Sequence, residues 1–120
     1  SSYAYENAVY YNRDNITPLS MNGFRQVSNT KTSWTGGGKA TITFEFTGKR
    51  CFVIIPAENK DDLDVSIRID GGAPEELGAE IFHGGAFANY LVLDEETSAK
   101  HTIEIICNSG TLPISGLFVS

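Results

Sequence analysis

Hydrophobic and polar residues alternate most regularly between Lys39 and Pro56, KATITFEFTGKRCFVIIP. Ala40, Ile42, Phe44 and Phe46 share one side of an extended chain, and Thr41, Thr43, Glu45 and Thr47 share the other. Thr47-Gly48-Lys49-Arg50 reads as a hairpin turn, with Gly48 free to take positive φ. Cys51 to Ile55 is then apolar on both sides, which suits a strand covered on both faces. Pro56, lacking an N–H, closes it. Leu63 to Asp70 repeats the alternation, with Leu63, Val65, Ile67 and Ile69 inward, and Asp70-Gly71-Gly72 marks a turn.

Shorter runs fill in the rest. Tyr5 to Tyr11 predicts an edge strand or ordered arm, and Met21 to Ser28 a second strand. Thr35-Gly36-Gly37-Gly38 reads as a flexible loop. Glu75 to Phe82 predicts a strand interrupted at Gly78, and His83 to Phe87 a loop. Asn89 to Leu93, His101 to Cys107 and Leu112 to Val119 are further strands, with a polar turn at Asp94 to Ser98. Eight or nine short strands with regular turn signals, and no sustained helical period, predict a single all-β domain. Its expected form is an antiparallel β-sandwich of jelly-roll type spanning residues 1–120, with 1–20 as edge strand or arm. The Ser1-Ser2 opening suggests a module excised from a larger protein.

Composition narrows the function. A net charge of −6 among 120 residues argues against nucleic acid, polyanionic glycans and anionic membranes. No apolar run is long enough to insert in a bilayer as a helix. Cys51 and Cys107 both fall on inward positions, so a bridge between them is geometrically conceivable; two buried thiols acting as small hydrophobes is the simpler reading. Asn15-Ile16-Thr17 is a glycosylation sequon, relevant only in a protein secreted by a eukaryote.

Trp34-Thr35-Gly36-Gly37-Gly38 followed by Ile42-Thr43-Phe44-Glu45-Phe46-Thr47-Gly48 resembles the opening of galactose-binding-like jelly rolls. So do Val65 to Gly72, a strand ending in Asp-Gly, and the late strand His101 to Ile105. The nearest variant is the non-catalytic β-sandwich at the N-terminus of acetylxylan-esterase-type SGNH hydrolases. The resemblance implies a carbohydrate-binding-type accessory module, working outside the cell, at its surface or in a virion tail, beside neighbouring domains. Structural calcium is common in modules of this fold, and Glu58, Asp61, Asp62 and Asp64 carry suitable oxygens. Their spacing does not match an EF-hand loop, and a solvated acidic loop explains them, so no cofactor is expected.

Sugar recognition needs an aromatic face for the apolar side of a pyranose, with amides or charged groups for the hydroxyls. The candidates are Trp34, His83, Phe87, Asn89 and Tyr90, the aromatics to stack and His83 and Asn89 to bond hydroxyls. Trp34 has an alternative role as a residue capping the core; Phe82 and Tyr90 would serve the same way if the His83 to Phe87 segment is only a hairpin loop. His101, ahead of its strand, reads as a surface residue. No Gly-x-Ser-x-Gly or His-Glu-x-x-His motif is present, and no catalytic centre is expected. The expected ligand is a neutral oligo- or polysaccharide. The alternative is a structural or adhesive protein-binding domain of a cell-surface or phage tail protein, with Tyr10 and Tyr11 at the interface.

Overall fold

The computed structural model describes residues 7–57 and 63–120, with all their side chains except those of 82–84. Nine strands follow one another, with no helix among the described residues: β1 Val9–Tyr11, β2 Ser20–Gln26, β3 Trp34–Pro56, β4 Asp64–Ile69, β5 Glu75–Glu76, β6 Glu80–Gly84, β7 Phe87–Ser109, β8 Leu112–Ile114 and β9 Gly116–Val119. All pairings are antiparallel.

The architecture rests on β3 and β7, each 23 residues long. They pair with each other from Thr41↔Ile106 to Pro56↔Phe87, with register shifts between Gly48 and Arg50 and between Cys51 and Phe52. On the N-terminal side of that irregularity β3 is flanked by β2 and β8, and β7 by β4, which carries β5. Beyond it β3 is flanked by β9, which carries β1, and β7 by β6. The same two long strands thus cross from one sheet of a sandwich into the other. The core lies between the sheets. Trp34, Ile42, Phe44, Ile67, Ile103 and Ile105 enter it from the first sheet, and Cys51, Val53, Ile55, Leu93, Leu117 and Val119 from the second.

The turn expected at Thr47 to Arg50 is therefore absent, and the strands on either side of it do not pair with each other. Gly48 has an ordinary negative φ, unlike Gly23, Gly71, Gly85 and Gly110. Its role is close approach: a Cβ there would stand 2.5 Å from Val119 Cγ1 and 2.9 Å from the Ser120 carbonyl oxygen. The C-terminal residue seats on this crossing, its carbonyl accepting the N–H groups of Lys49 (2.7 Å) and Arg50 (3.1 Å). The polar turn expected at Asp94 to Ser98 is likewise continuous strand, and Arg50 reaches Asp94 across the crossing at 3.2 Å.

The triple-glycine segment also belongs to β3. Gly36 is buried because the Phe24 ring lies on it; a Cβ would come within 2.7 Å of that ring. Gly37, Gly38, Lys39 and Ala40 form the bulge that lets the pairing jump from Gly23↔Thr41 to Phe24↔Gly36. The loop expected at His83 to Phe87 narrows to Gly85-Ala86, because β6 runs to Gly84 and β7 starts at Phe87, whereas the turn after β4 lies where the sequence put it. Asp70 (φ 51°) and Gly71 (φ 72°) are both left-handed, and Gly72 N–H closes the turn on Ile69 O at 2.9 Å. Gly78 separates β5 from β6, where a Cβ would collide with the Leu91 carbonyl. Both cysteines are buried free thiols.

Candidate functional site

Parity along the second sheet sends two sets of side chains in opposite directions. Cys51, Val53 and Ile55 enter the core, so Phe52, Ile54 and Pro56 must face outward. Residues directly opposite in antiparallel pairs share a face. The register therefore sets Tyr10, Phe118, Phe52 and Leu91 in one outward row, Gly116, Ile54 and Asn89 in the next, and Pro56 with Phe87 in a third. This outward face is apolar, yet Phe52 and Ile54 are each only 3% exposed.

Above these rows lies a cleft of about 490 Å³, within the range that accommodates small ligands. Its floor is Ile54, Phe118, Asn89 and Phe87; its walls are Tyr10 with Asn12, Arg13 and Asp14 on one side and Thr30 to Ser33 with Ser115 on the other. The Tyr10 ring lies over Gly116, where a Cβ would meet it at 2.7 Å, and tilts by 42° against Phe118 at 4.9 Å between centroids. The glycine opens the place that the tyrosine fills.

The walls are tied down by polar groups of high specificity. Arg13 Nη1 donates to the carbonyls of Asn29 and Thr32, both at 2.8 Å, joining one wall to the other. Buried Ser33 accepts the Arg13 N–H at 3.2 Å and donates to Ser115 O at 2.8 Å, and Ser115 Oγ donates to Lys31 O. Asn15 Nδ2 donates to Tyr10 O at 2.9 Å, while its Oδ1 accepts Asn12 N–H at 2.7 Å. The sequon asparagine thus has a structural task, holding the turn that follows β1. Burial raises the pKa of the Tyr10 phenol, against a smaller opposing pull from the Arg13 charge. The phenol is therefore a protonated hydrogen-bond donor throughout the physiological range.

Of the five candidates from sequence, Phe87 and Asn89 come together in this cleft. Asn89 is 6% exposed and Phe87 half-buried. Trp34 does not join them. It is fully buried, its ring set edge-on against Phe44 at 4.9 Å and 61°. Because the glycines after it are strand rather than loop, its parity points it into the core, and it offers no stacking platform to a ligand. Tyr90 pairs with Val53 and packs on the core side, so it faces away from Asn89. It lines a separate cleft of about 290 Å³ with Ile55, Leu63, Asp64, Val65, Glu76 and Leu77. The side chain of His83 lies outside the described residues, as do Glu58, Asp61 and Asp62 of the acidic loop. Among the described residues no group of three or more His, Cys, Asp and Glu is placed to hold a metal ion.

Sequence reasoning gave Tyr10 little weight and did not single out Asn12, Arg13, Lys31 or Phe118. The signal for the face was present: Cys51 to Ile55 is apolar on both sides, and Phe118 falls between two inward residues. An outward apolar row in a sandwich needs something to cover it or something to bind.

His101 also departs from expectation. It is buried, 8% exposed, and its Nδ1–H donates to Asp70 Oδ2 at 2.7 Å, while Asp70 Oδ1 accepts Thr102 N–H at 2.9 Å. The His101 hydrogen bond, ahead of that from Thr102, holds the Asp70 carboxyl below its ordinary pKa. His101 Nε2 is buried with no partner among the described residues, the ring lies 6.1 Å from Phe46, and it lines neither cleft. The pair fastens the Asp70-Gly71 turn to β7. The thiols are equally unsuited to nucleophilic work: burial pushes both Cys51 and Cys107 up, away from the thiolate.

No protein-family model matches the chain, and no curated protein is similar to it in sequence. Solved structures resemble it in fold. A two-domain esterase active on acetylated mannans, co-crystallised with mannopentaose, superposes with a TM-score of 0.70 at 16% identity, over 100% of this chain and 38% of that one. An acetyl xylan esterase from the rumen bacterium Butyrivibrio proteoclasticus gives 0.62 at 11% identity, over 94% of this chain and 32% of the esterase. The CBM36-1 domain of a multidomain xylanase from the hindgut metagenome of Trinervitermes trinervoides gives 0.62 at 16% identity, over 95% of this chain and 97% of that domain. This chain thus spans about a third of the esterases and nearly all of the single domain. At these identities the likeness is one of fold, and that fold is the antiparallel β-sandwich expected from the sequence.

Proposed function

We propose that the protein is a non-catalytic carbohydrate-binding module that holds a glycan in the cleft over the second sheet. The observation that supports this reading is the cleft itself. Aromatic rings of Tyr10, Phe87 and Phe118 stand beside amides of Asn12 and Asn89 and hydroxyls of Thr30 and Thr32, on walls fixed by buried serines. A pyranose presents an apolar face and a rim of hydroxyls, and this mixture of groups complements both. The chain's net charge of −6 favours a glycan that is largely neutral. The neighbours named for acetylated mannan, xylan and a binding module agree with that class of ligand. The module would work outside the cell, attached to other domains, with several copies or a catalytic neighbour making weak single-site binding useful.

A glycan microarray probed with the module displayed multivalently tests this. Binding confined to one glycan class and lost on Phe87→Ala is expected. A blank array from a folded protein would overturn the reading and favour a protein partner.

A further inference from the structure

The charge in the cleft runs against the charge of the chain. The whole protein has 9 Lys and Arg against 15 Asp and Glu, yet among the described residues the cleft is lined by Arg13 and Lys31 against Asp14 as the one carboxylate. Arg13 is also held in place. Its Nη1 is committed to two carbonyls on the opposite wall, which fixes the guanidinium plane and removes much of the entropy that a free arginine loses on binding. Among the described residues Nε and Nη2 carry no hydrogen bond, and neither does the Tyr10 phenol. Its charge is close enough to that phenol to oppose the effect of burial on it. A fixed guanidinium edge beside a protonated phenol brings N–H donors and one O–H donor together, with the phenolic oxygen as the one acceptor among them. The complement of such a set is a group that only accepts and carries negative charge.

Resting on the carbohydrate reading of the cleft, we infer that it takes a glycan bearing an isolated carboxylate, a uronic acid on an otherwise neutral chain, with the carboxylate at Arg13 and Tyr10. Ring stacking on Phe87 and Tyr10 serves the neutral part. A polyuronate is excluded by the rest of the surface. Screening over about 8 Å at physiological ionic strength lets Arg13 dominate one nearby carboxylate, while a train of them would meet the acidic exterior.

Calorimetric titration with matched pairs tests this: oligosaccharides carrying one glucuronic acid, and the same oligosaccharides after reduction of the carboxyl to the alcohol. The carboxylated member is expected to bind about tenfold more tightly, the scale of a charge-assisted pair of hydrogen bonds. That advantage should shrink with added NaCl and vanish in Arg13→Gln. Because Arg13 also joins the two walls, the ligand-side comparison on the unmutated protein decides the matter without disturbing the fold. Equal binding of both members by the unmutated protein would overturn the inference while leaving the carbohydrate reading intact. A preference that survives Arg13→Gln in a folded variant would remove Arg13 from the assignment. Failure of both members to bind, with neutral glycans also blank on the array, would overturn inference and reading together.

Discussion

The outer faces of the two sheets are made by the same two strands, and they could hardly differ more. On the first sheet Thr41, Thr43 and Glu45 of β3 lie opposite Ile106, Glu104 and Thr102 of β7, and Glu104 in turn opposite Arg68 of β4. Arg68 and Glu104 pair at 3.0 Å, Lys100 and Glu45 at 3.7 Å, and Asn108 donates to Ser66 at 2.8 Å. It is mostly a solvated polar lattice, and it follows directly from strict alternation. On the second sheet the same strands present Phe52, Ile54, Phe87 and Asn89, and β1 and β9 add Tyr10 and Phe118. Alternation fails there, loops rise around the face, and a cleft results. In a sandwich both inner faces must be apolar for stability, so they say little about function. An apolar outer face is the one that needs another explanation.

Substitutions can break this contrast, and the largest effect should fall on the core that both sheets share. Trp34→Ala removes a fully buried indole and is expected to destabilise the protein by about 3–5 kcal/mol in urea titration. Glycan affinity of the fraction that stays folded should be unchanged, because the indole lies on the far side of the sheet from the cleft. Loss of binding at full stability would return Trp34 to the site. Phe87→Ala should do the reverse. It is expected to weaken glycan binding by tenfold or more, about 1.4 kcal/mol, with a smaller shift in the unfolding midpoint.

Acid should act on the first sheet. The Asp70 carboxyl is held below its ordinary pKa by His101 and Thr102, so the folded state favours the ionised form more than the unfolded chain does. The resulting stability is present above the ordinary carboxylate range and is lost as pH falls through the lowered folded value. Urea midpoints measured from pH 6 down to about 2 should therefore fall less steeply on the acid side for Asp70→Asn than for the unmutated protein. Parallel slopes would show that the pair contributes nothing. The smallest effect is expected from Lys100→Ala. It breaks a 3.7 Å contact with 70% of the lysine side chain exposed, and the midpoint should move by less than about 0.5 kcal/mol.

Much of the architecture was legible. Strict alternation located the strands of both long elements, Asp70-Gly71-Gly72 located a true turn, and Gly78 marked a true interruption. Gly48 was misread because a glycine in a hairpin turn and a glycine at a crossing of two chains look alike in sequence; only the presence of Val119 and Ser120 above it separates them. Gly36 misled in the same way, and took Trp34 with it. In the site, Phe87 and Asn89 were picked as an aromatic and an amide beside a pair of glycines, and the structure shows that they sit two apart on one strand and so share a face. Tyr90, their neighbour in sequence, was grouped with them although parity sends it to the other face. Arg13, Lys31 and Phe118 come from distant segments, and nothing local records that β1 lies beside β9. His101 was missed because its partner Asp70 reaches it only through pairing of β4 with β7.

The pairing of β3 with β7 on both sides of the crossing has a consequence for how the molecule unfolds. Neither sheet owns its central strands, so neither can open as a separate unit. Amide hydrogens in the middle of β3 should exchange at a common, slow rate on both sides of Gly48, set by global unfolding rather than by local opening. A sugar seated over Ile54 would then slow exchange at Phe44, on a sheet it never touches. The ladder joins residues as distant in sequence as Thr41 and Ile106, so the chain must close long loops before the two strands can support each other, and folding should be slow for a domain of this size.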